Sequence, residues 1–247
     1  MAALPETSRD HHRPSDIPYS ATDGLVRIEA AMTRYNRWII GKVIKGYGKT
    51  LDSKTRVLDF GAGLGTLSQI FYEKSGVRPD ALEIDPGHRL EAARRGFATY
   101  STLAELPVVY DLVFVSNVLE HIEDDVGTLL SLKTHLKDDG ALLIYVPAFE
   151  AIWTSMDEKV GHIRRYRKKA LAEKLRHAGY DVRYIGYCDS LGFILAFLFK
   201  FIGSREGDLP MKSLSLYDRF LLPISRTMDV LFSRLFGKNL FVIARKS

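Results

Sequence analysis

Val57-Leu58-Asp59-Phe60-Gly61-Ala62-Gly63-Leu64-Gly65-Thr66-Leu67-Ser68 is the stretch whose reading decides the fold. Val57, Leu58 and Phe60 make a short bulky apolar run, as expected of a parallel strand buried on both faces. Three glycines spaced two apart follow at once, and Leu67, Ile70 and Phe71 then recur at helical steps. The order is strand, tight turn, helix. Glycine belongs where backbone turns sharply and approaches a ligand, because a Cβ there would occupy the ligand's space. The free N–H groups of the following helix point at that same space. A dinucleotide fingerprint would place its third glycine at position 66, but Thr66 stands there and the glycine falls at Gly65. That spacing disfavours a nicotinamide cofactor.

Outward from this turn the pattern repeats. Ala81-Leu82-Glu83-Ile84-Asp85-Pro86 reads as a second parallel strand that ends in an acid about 20 residues beyond the loop, where a carboxylate can accept hydrogen bonds from both hydroxyls of a ribose. Asp85 precedes a proline and is assigned to the start of the next helix. Leu112 to Val115 reads as a doubly buried strand, with Asn117 to His121 as the loop leaving its C-terminal end. Asp124 to Leu136 carries a helical apolar stripe (Val126, Leu129, Leu130, Leu136), and Asp139-Gly140 turns it into the strand 141–146. The βαβ alternation predicts an open, mostly parallel sheet with helices on both faces.

The segment Asp59 to Gly65, D-x-G-x-G-x-G, resembles motif I of the class I S-adenosylmethionine-dependent methyltransferases, in the style of the type 11 and type 12 members. Glu83 resembles their motif II, and Val118-Leu119-Glu120-His121 their fourth motif. The resemblance covers roughly residues 55 to 188 and the last strand. It implies a Rossmann-like seven-stranded α/β sheet whose last strand is antiparallel, with S-adenosylmethionine as cofactor. Asp59, Gly61, Ala62, Gly63 and Gly65 would form the cofactor loop, Glu83 would take the ribose, and Ile84 would offer an apolar surface to the adenine. Family members often carry an acid for the adenine amino group; Ser101 and Thr102 hold that place here, and a hydroxyl can accept the same bond. Asn117 and Val118 would line the methionine portion.

The resemblance also makes the amphipathic helix from Gly24 to about Lys45, within residues 21–52, a lid over the cofactor, with Tyr35, Asn36 and Trp38 on the substrate side or simply packed. Residues 148 to 169 should overhang the transferring methyl. The pattern Pro-Ala, Trp153, Asp157-Glu158, Gly161-His162, Arg164-Arg165-Tyr166 resembles methyltransferases that sit near glycan or lipid-linked saccharide pathways. His162 is the first candidate general base, since an imidazole titrates near neutrality, and His121 the second. His162 could equally tie the loop to the core. Trp153, Arg164, Arg165 and Tyr166 are substrate-side candidates, with pairing of the arginines to Asp157 or Glu158 as the alternative. Some ubiquinone-pathway relatives use an acid at Glu120 for a divalent metal. No accompanying acids can be placed beside it from sequence, so Glu120 reads as a solvated or helix-start carboxylate and no metal is expected.

Composition sets the bounds. With 247 residues, 46% of them hydrophobic, the chain suits one domain with a sizeable core. A single cysteine, Cys188, permits no internal disulfide, and no signal-like apolar segment precedes residue 20, so a cytoplasmic location is expected. Residues 1–20 read as a flexible tail. Net charge is +5, divided as 17 − 23 = −6 over residues 1–158 and 18 − 7 = +11 over residues 159–247. The basic third, with the apolar run Leu191 to Ile202 inside a helical insertion spanning 190–236, suggests a lipid-linked acceptor or an anionic membrane face. A small-molecule acceptor methylated on oxygen is the companion reading. A core or dimer helix is the plain alternative for the insertion, and Leu240 to Ala244 reads as an edge strand. No nucleic-acid substrate is expected, because the asparagine-proline-proline-aromatic motif of base-modifying relatives is absent after Asn117.

Overall fold

A computed structural model describes residues 28, 30–202 and 211–247. The tail expected over residues 1–20 lies outside them. A seven-stranded sheet runs through the molecule, with β1 (Val57–Phe60), β2 (Asp80–Leu82), β3 (Thr99–Tyr100), β4 (Tyr110–Ser116), β5 (Leu136–Pro147), β6 (Tyr180–Cys188) and β7 (Asn239–Lys246) in the order β3-β2-β1-β4-β5-β7-β6. All neighbours pair in parallel except β7, which is antiparallel to both β5 and β6. The last strand is therefore inserted and β6 is the edge, against the expectation that residues 240–244 close the sheet. The reason is burial on both faces: Leu240, Val242 and Ala244 join one core and Phe241 the other, as an interior strand requires.

On one face, α1 (Thr33–Tyr47) and α2 (Thr66–Ser75) lay Ile39, Ile40, Val43, Ile70 and Phe71 against Leu112, Phe114, Leu143 and Phe241. Phe71 stacks on Phe114 at 5.5 Å between centroids. On the other, α4 (Asp125–Thr134) and a later helix, α6 (Lys168–His177), bury Leu129, Leu132, Leu171 and Leu175. Leu130, expected to face inward, is exposed, and the helix stops at Thr134 so that Leu136 can open β5. The α3 helix (Pro86–Arg94) begins at Asp85, whose carboxylate accepts from His88 N at 2.8 Å, which is the role its place before a proline predicts.

The strand order reverses between β1 and β4, since the chain goes from β1 outward to β2 and β3 and returns to the other side of β1. Loops leaving the C-terminal ends of these strands diverge there and leave a crevice. The apolar insertion folds as α7 (Ser190–Ile202), α8 (Met211–Leu216), a π-helical turn (Tyr217–Leu221) and α9 (Leu222–Phe232). A buried polar network pins it to α1 and the sheet. Asp189 accepts from Ser225 Oγ at 2.8 Å, from Tyr35 OH at 3.1 Å and from Tyr217 OH, while Tyr35 OH also meets Tyr145 OH at 2.7 Å and receives Asn239 Nδ2 at 2.9 Å.

Candidate active site

The glycine turn leaves β1 with all three glycines at positive φ, yet space treats each differently. A Cβ on Gly61 would strike the Val118 side chain at 2.3 Å, and one on Gly65 would press on Ala92 at 3.2 Å. Those two glycines serve packing of the neighbouring loop and of α3. A Cβ on Gly63, at φ +53°, would meet nothing within 4 Å. Gly63 thus borders the open crevice, and its N–H donates to Glu83 Oε2 at 2.8 Å. The other oxygen, Oε1, accepts from Asp85 N at 2.9 Å, so the carboxylate is fixed before any ligand arrives. Ile84, beside it, is 80% exposed. A carboxylate held at the rim of an open cradle with a bare apolar side chain next to it fits a ribose bearing a purine.

Behind this rim, Asp59 is buried and accepts from Ser68 Oγ at 2.7 Å. It holds the turn against α2 from within. Ala62 is buried, its N–H donating to Leu82 O at 3.0 Å. Ser101 is differently employed: its N–H and hydroxyl both donate to Glu105, at 2.8 and 2.5 Å, and the hydroxyl bond above all holds the Glu105 carboxyl below its ordinary pKa. Thr102 opens the short helical turn Leu103–Glu105. The pair expected at the adenine amino group is thus engaged with Glu105, whose position three or four residues on was the missing signal.

Asn117, at the end of β4, takes φ +54° and donates its N–H to Tyr145 O at 2.8 Å. The strained loop then coils through Leu119–His121, and it meets the loop after β5. Ile163 N donates to Glu120 O at 2.9 Å, Tyr166 OH donates to Leu119 O at 3.0 Å, and Arg164 donates to Glu123 O at 2.9 Å. Two loops become one wall.

Asp157 is the organiser of that wall. It lies in the short helix α5 (Ser155–Lys159), where it closes a capping box with Thr154. Only 1% exposed, it accepts from Arg165 Nε at 2.8 Å, Arg165 Nη2 at 3.0 Å, Thr154 N at 2.9 Å and His162 Nδ1 at 2.8 Å. Burial alone would raise its carboxyl, but the bonds from His162, Thr154 and Arg165 outweigh burial and hold it down at about 2. Arg165 is accordingly buried in a bidentate pair and Tyr166 is buried against Asp125, where Arg164 and Lys174 also converge. Arg165 thus takes the pairing with Asp157 that the sequence reading allowed as its alternative, and Arg164 and Tyr166 are engaged with Asp125. The reason is that two buried carboxylates lie within their reach. Trp153 reaches Glu158 Oε1 at 3.4 Å. Tyr35 is buried in the polar network around Asp189, whereas Trp38 lines a cleft between α1 and α9 and carries the Lys42 ammonium 5.1 Å from its ring.

Glu120 also departs from expectation. It is fully buried, not solvated, and burial pushes its carboxyl up to about 8. Its Oε1 stands 3.7 Å from His162 Nε2, and the His162 ring packs edge-on to His121 at 4.9 Å between centroids. His121 Nδ1 bonds Gly161 O at 3.1 Å; burial, and then the neighbouring His162, lower its pKa. Sequence reasoning placed both histidines here and allowed Asp157 as a partner of the arginines, but missed the capping role of Asp157 and, altogether, Asp125. The Thr154-Ser155-Met156-Asp157 capping pattern was the available clue to the first.

A seven-stranded sheet of this order, with an antiparallel β7 and a glycine turn opening on a crevice at the strand-order reversal, is the class I methyltransferase architecture. The chain belongs to that family: residues 32–185, more than half of its length, match the family model described as a methyltransferase domain. It is an S-adenosylmethionine-dependent methyltransferase. None of the curated proteins matches it significantly in sequence. Solved structures similar to it include the plantazolicin methyltransferase BpumL in complex with SAH (TM-score 0.60, 14% identity, 94% of this chain and 91% of that chain). A SAM-dependent methyltransferase from Archaeoglobus fulgidus matches with TM-score 0.53 and 18% identity, over 85% of this chain and 94% of that one. Phosphoethanolamine N-methyltransferase 2 of Haemonchus contortus, in complex with S-adenosyl-L-methionine, matches with TM-score 0.60 and 16% identity, over 91% of this chain and 57% of that one. At such identities the likeness is one of fold.

The ribose assignment has a direct test. Glu83→Ala should weaken S-adenosylmethionine by about 1.5–3 kcal/mol in calorimetry, the range for hydrogen bonds to a charged group. Asp85→Ala should lower stability through its lost cap and leave affinity nearly unchanged. The reverse pattern would move the ribose to Asp85.

Proposed function

We propose that this methyltransferase transfers the methyl group to an oxygen of a small-molecule or lipid-linked acceptor, with His162 receiving the proton. The observation that carries this reading is the Asp157–His162 pair, at 2.8 Å, in a loop that hydrogen-bonds the segment just after Asn117 and Val118. A buried carboxylate on Nδ1 fixes the ring and its tautomer and leaves Nε2 to act. The cofactor supplies an electrophilic methyl on a sulfonium. The acceptor oxygen forms the new O–C bond as the S–C bond breaks, and its proton passes to His162. Glu83, Ile84 and the Gly63 cradle hold the cofactor, and the wall of the two loops excludes water. A labelled-methyl transfer assay against fractionated lipid and soluble metabolites tests it. Label should enter an oxygen-linked product, with kcat/KM falling at least 100-fold in His162→Gln. Label found on nitrogen or carbon, or a His162→Gln enzyme of full activity, would overturn the assignment.

The apolar insertion favours work at a membrane surface. Leu195, Phe197 and Leu198 on α7, and Ile224 and Leu231 on α9, are exposed, while residues 159–176 hold eight Lys or Arg against one Glu. No helix among the described residues is long and apolar enough to cross a membrane. Apolar insertion and attraction to acidic headgroups reinforce each other, at about 1 kcal/mol per well-placed cation. Sedimentation with phosphatidylglycerol vesicles should recover the wild type in the pellet, less so at high salt, and should leave a Leu198→Asp, Leu231→Asp variant in the supernatant. Equal recovery of both in the supernatant would assign these side chains to contacts with another protein or a second copy.

A further inference from the structure

We propose that Glu120, His121 and His162 bind one divalent transition-metal ion. Glu120 is 0% exposed, and neither of its carboxylate oxygens has a hydrogen-bond partner. Among the described residues it is the only carboxylate in that state. A buried charge or acid left without partners is costly unless something satisfies it, and a cation does so. What faces it is two imidazoles. One donor atom from each of the three side chains lies within 4.8 Å of the others, and Glu120 Oε1 is 3.7 Å from His162 Nε2.

The outer partners of the two rings strengthen the case. His162 Nδ1 bonds the buried Asp157 carboxylate at 2.8 Å, and His121 Nδ1 bonds the Gly161 carbonyl at 3.1 Å. Carboxylate and backbone carbonyl are the usual outer partners of metal-binding histidines, because they fix Nδ1–H and leave a basic Nε2 for the ion. Here they do so twice, from different directions. Ligand bonds of about 2.0–2.2 Å put neighbouring ligand atoms at about 3–3.5 Å. Glu120 and His162 are nearly there, and the whole set, within 4.8 Å, has only about 1 Å left to contract around an ion. Two imidazoles and one carboxylate suit zinc, iron(II) or cobalt(II) and not magnesium, which prefers an all-oxygen shell.

The binding does not rest on the proposed reaction: His162 Nε2 receives the proton there in the ion-free protein and is a ligand when the ion is held.

Cobalt(II) titration of the metal-stripped full chain tests the site, because cobalt held by imidazole and carboxylate absorbs in the visible range. The assay uses a His11→Ala, His12→Ala background to remove the other histidine pair in the sequence. One equivalent should bind at micromolar affinity or better, with visible absorption, and zinc should displace it. Affinity should fall at least 10-fold in His121→Ala, whose exposed ring is not needed for folding, and likewise in the isosteric Glu120→Gln. Equal affinities in all three proteins, or binding without visible absorption, would overturn the site. Calorimetry with S-adenosylmethionine on the same samples keeps the two readings apart. Cofactor bound without cobalt removes the ion alone, and cobalt bound without cofactor removes the methyl-transfer reading alone.

Discussion

Gly63→Val is expected to reduce S-adenosylmethionine affinity at least 100-fold, about 2.7 kcal/mol, while the protein remains folded. The branches of valine would enter the open crevice beside Glu83, where no protein atom lies within 4 Å of a Cβ, and so would meet the ligand and not the core. The φ of +53° adds strain of about 1–2 kcal/mol for a residue with a Cβ. Calorimetry should show no cofactor uptake, and circular dichroism should show a melting midpoint lowered by a few degrees only. Gly61→Val makes the contrasting control. Its Cβ would collide with Val118, so stability should fall much further. Unchanged affinity in Gly63→Val would place the cofactor elsewhere.

The second large effect concerns Asp157. Asp157→Ala should cost about 3–5 kcal/mol of stability, because it strands the buried Arg165 guanidinium and unties His162. Urea unfolding measures it. Arg165→Met added to Asp157→Ala should recover part of that loss, since removing both charges leaves no uncompensated one inside. A single variant within 1 kcal/mol of wild type would show that the loop is held by its backbone bonds alone. The distinction bears on the site, since the same carboxylate that stabilises the loop holds the imidazole of His162.

Much of the molecule was legible along the chain, and the reason is local. Strand, turn and helix at residues 57–75 follow from side-chain period and glycine spacing, and the place of Glu83 beside that turn follows from its distance along the chain. Asp85 as a helix cap follows from the proline after it. These features depend on neighbours a few residues away, or on one strand laid beside another in a repeating unit. The family match over residues 32–185 agrees with that reading.

What the tertiary structure alone decided is where long-range partners lie. The interior place of β7 depends on apolar cores supplied by helices far away in sequence, so 240–244 looked like an edge. Arg165 and Tyr166 carry the same composition whether they meet substrate or a buried acid; only the fold brings Asp157 and Asp125 to them. Glu120 reads as a surface carboxylate until the loop after β5 closes over it with His162. Periodicity records which face of an element is buried, but a hydrogen bond across 40 residues leaves no period behind it.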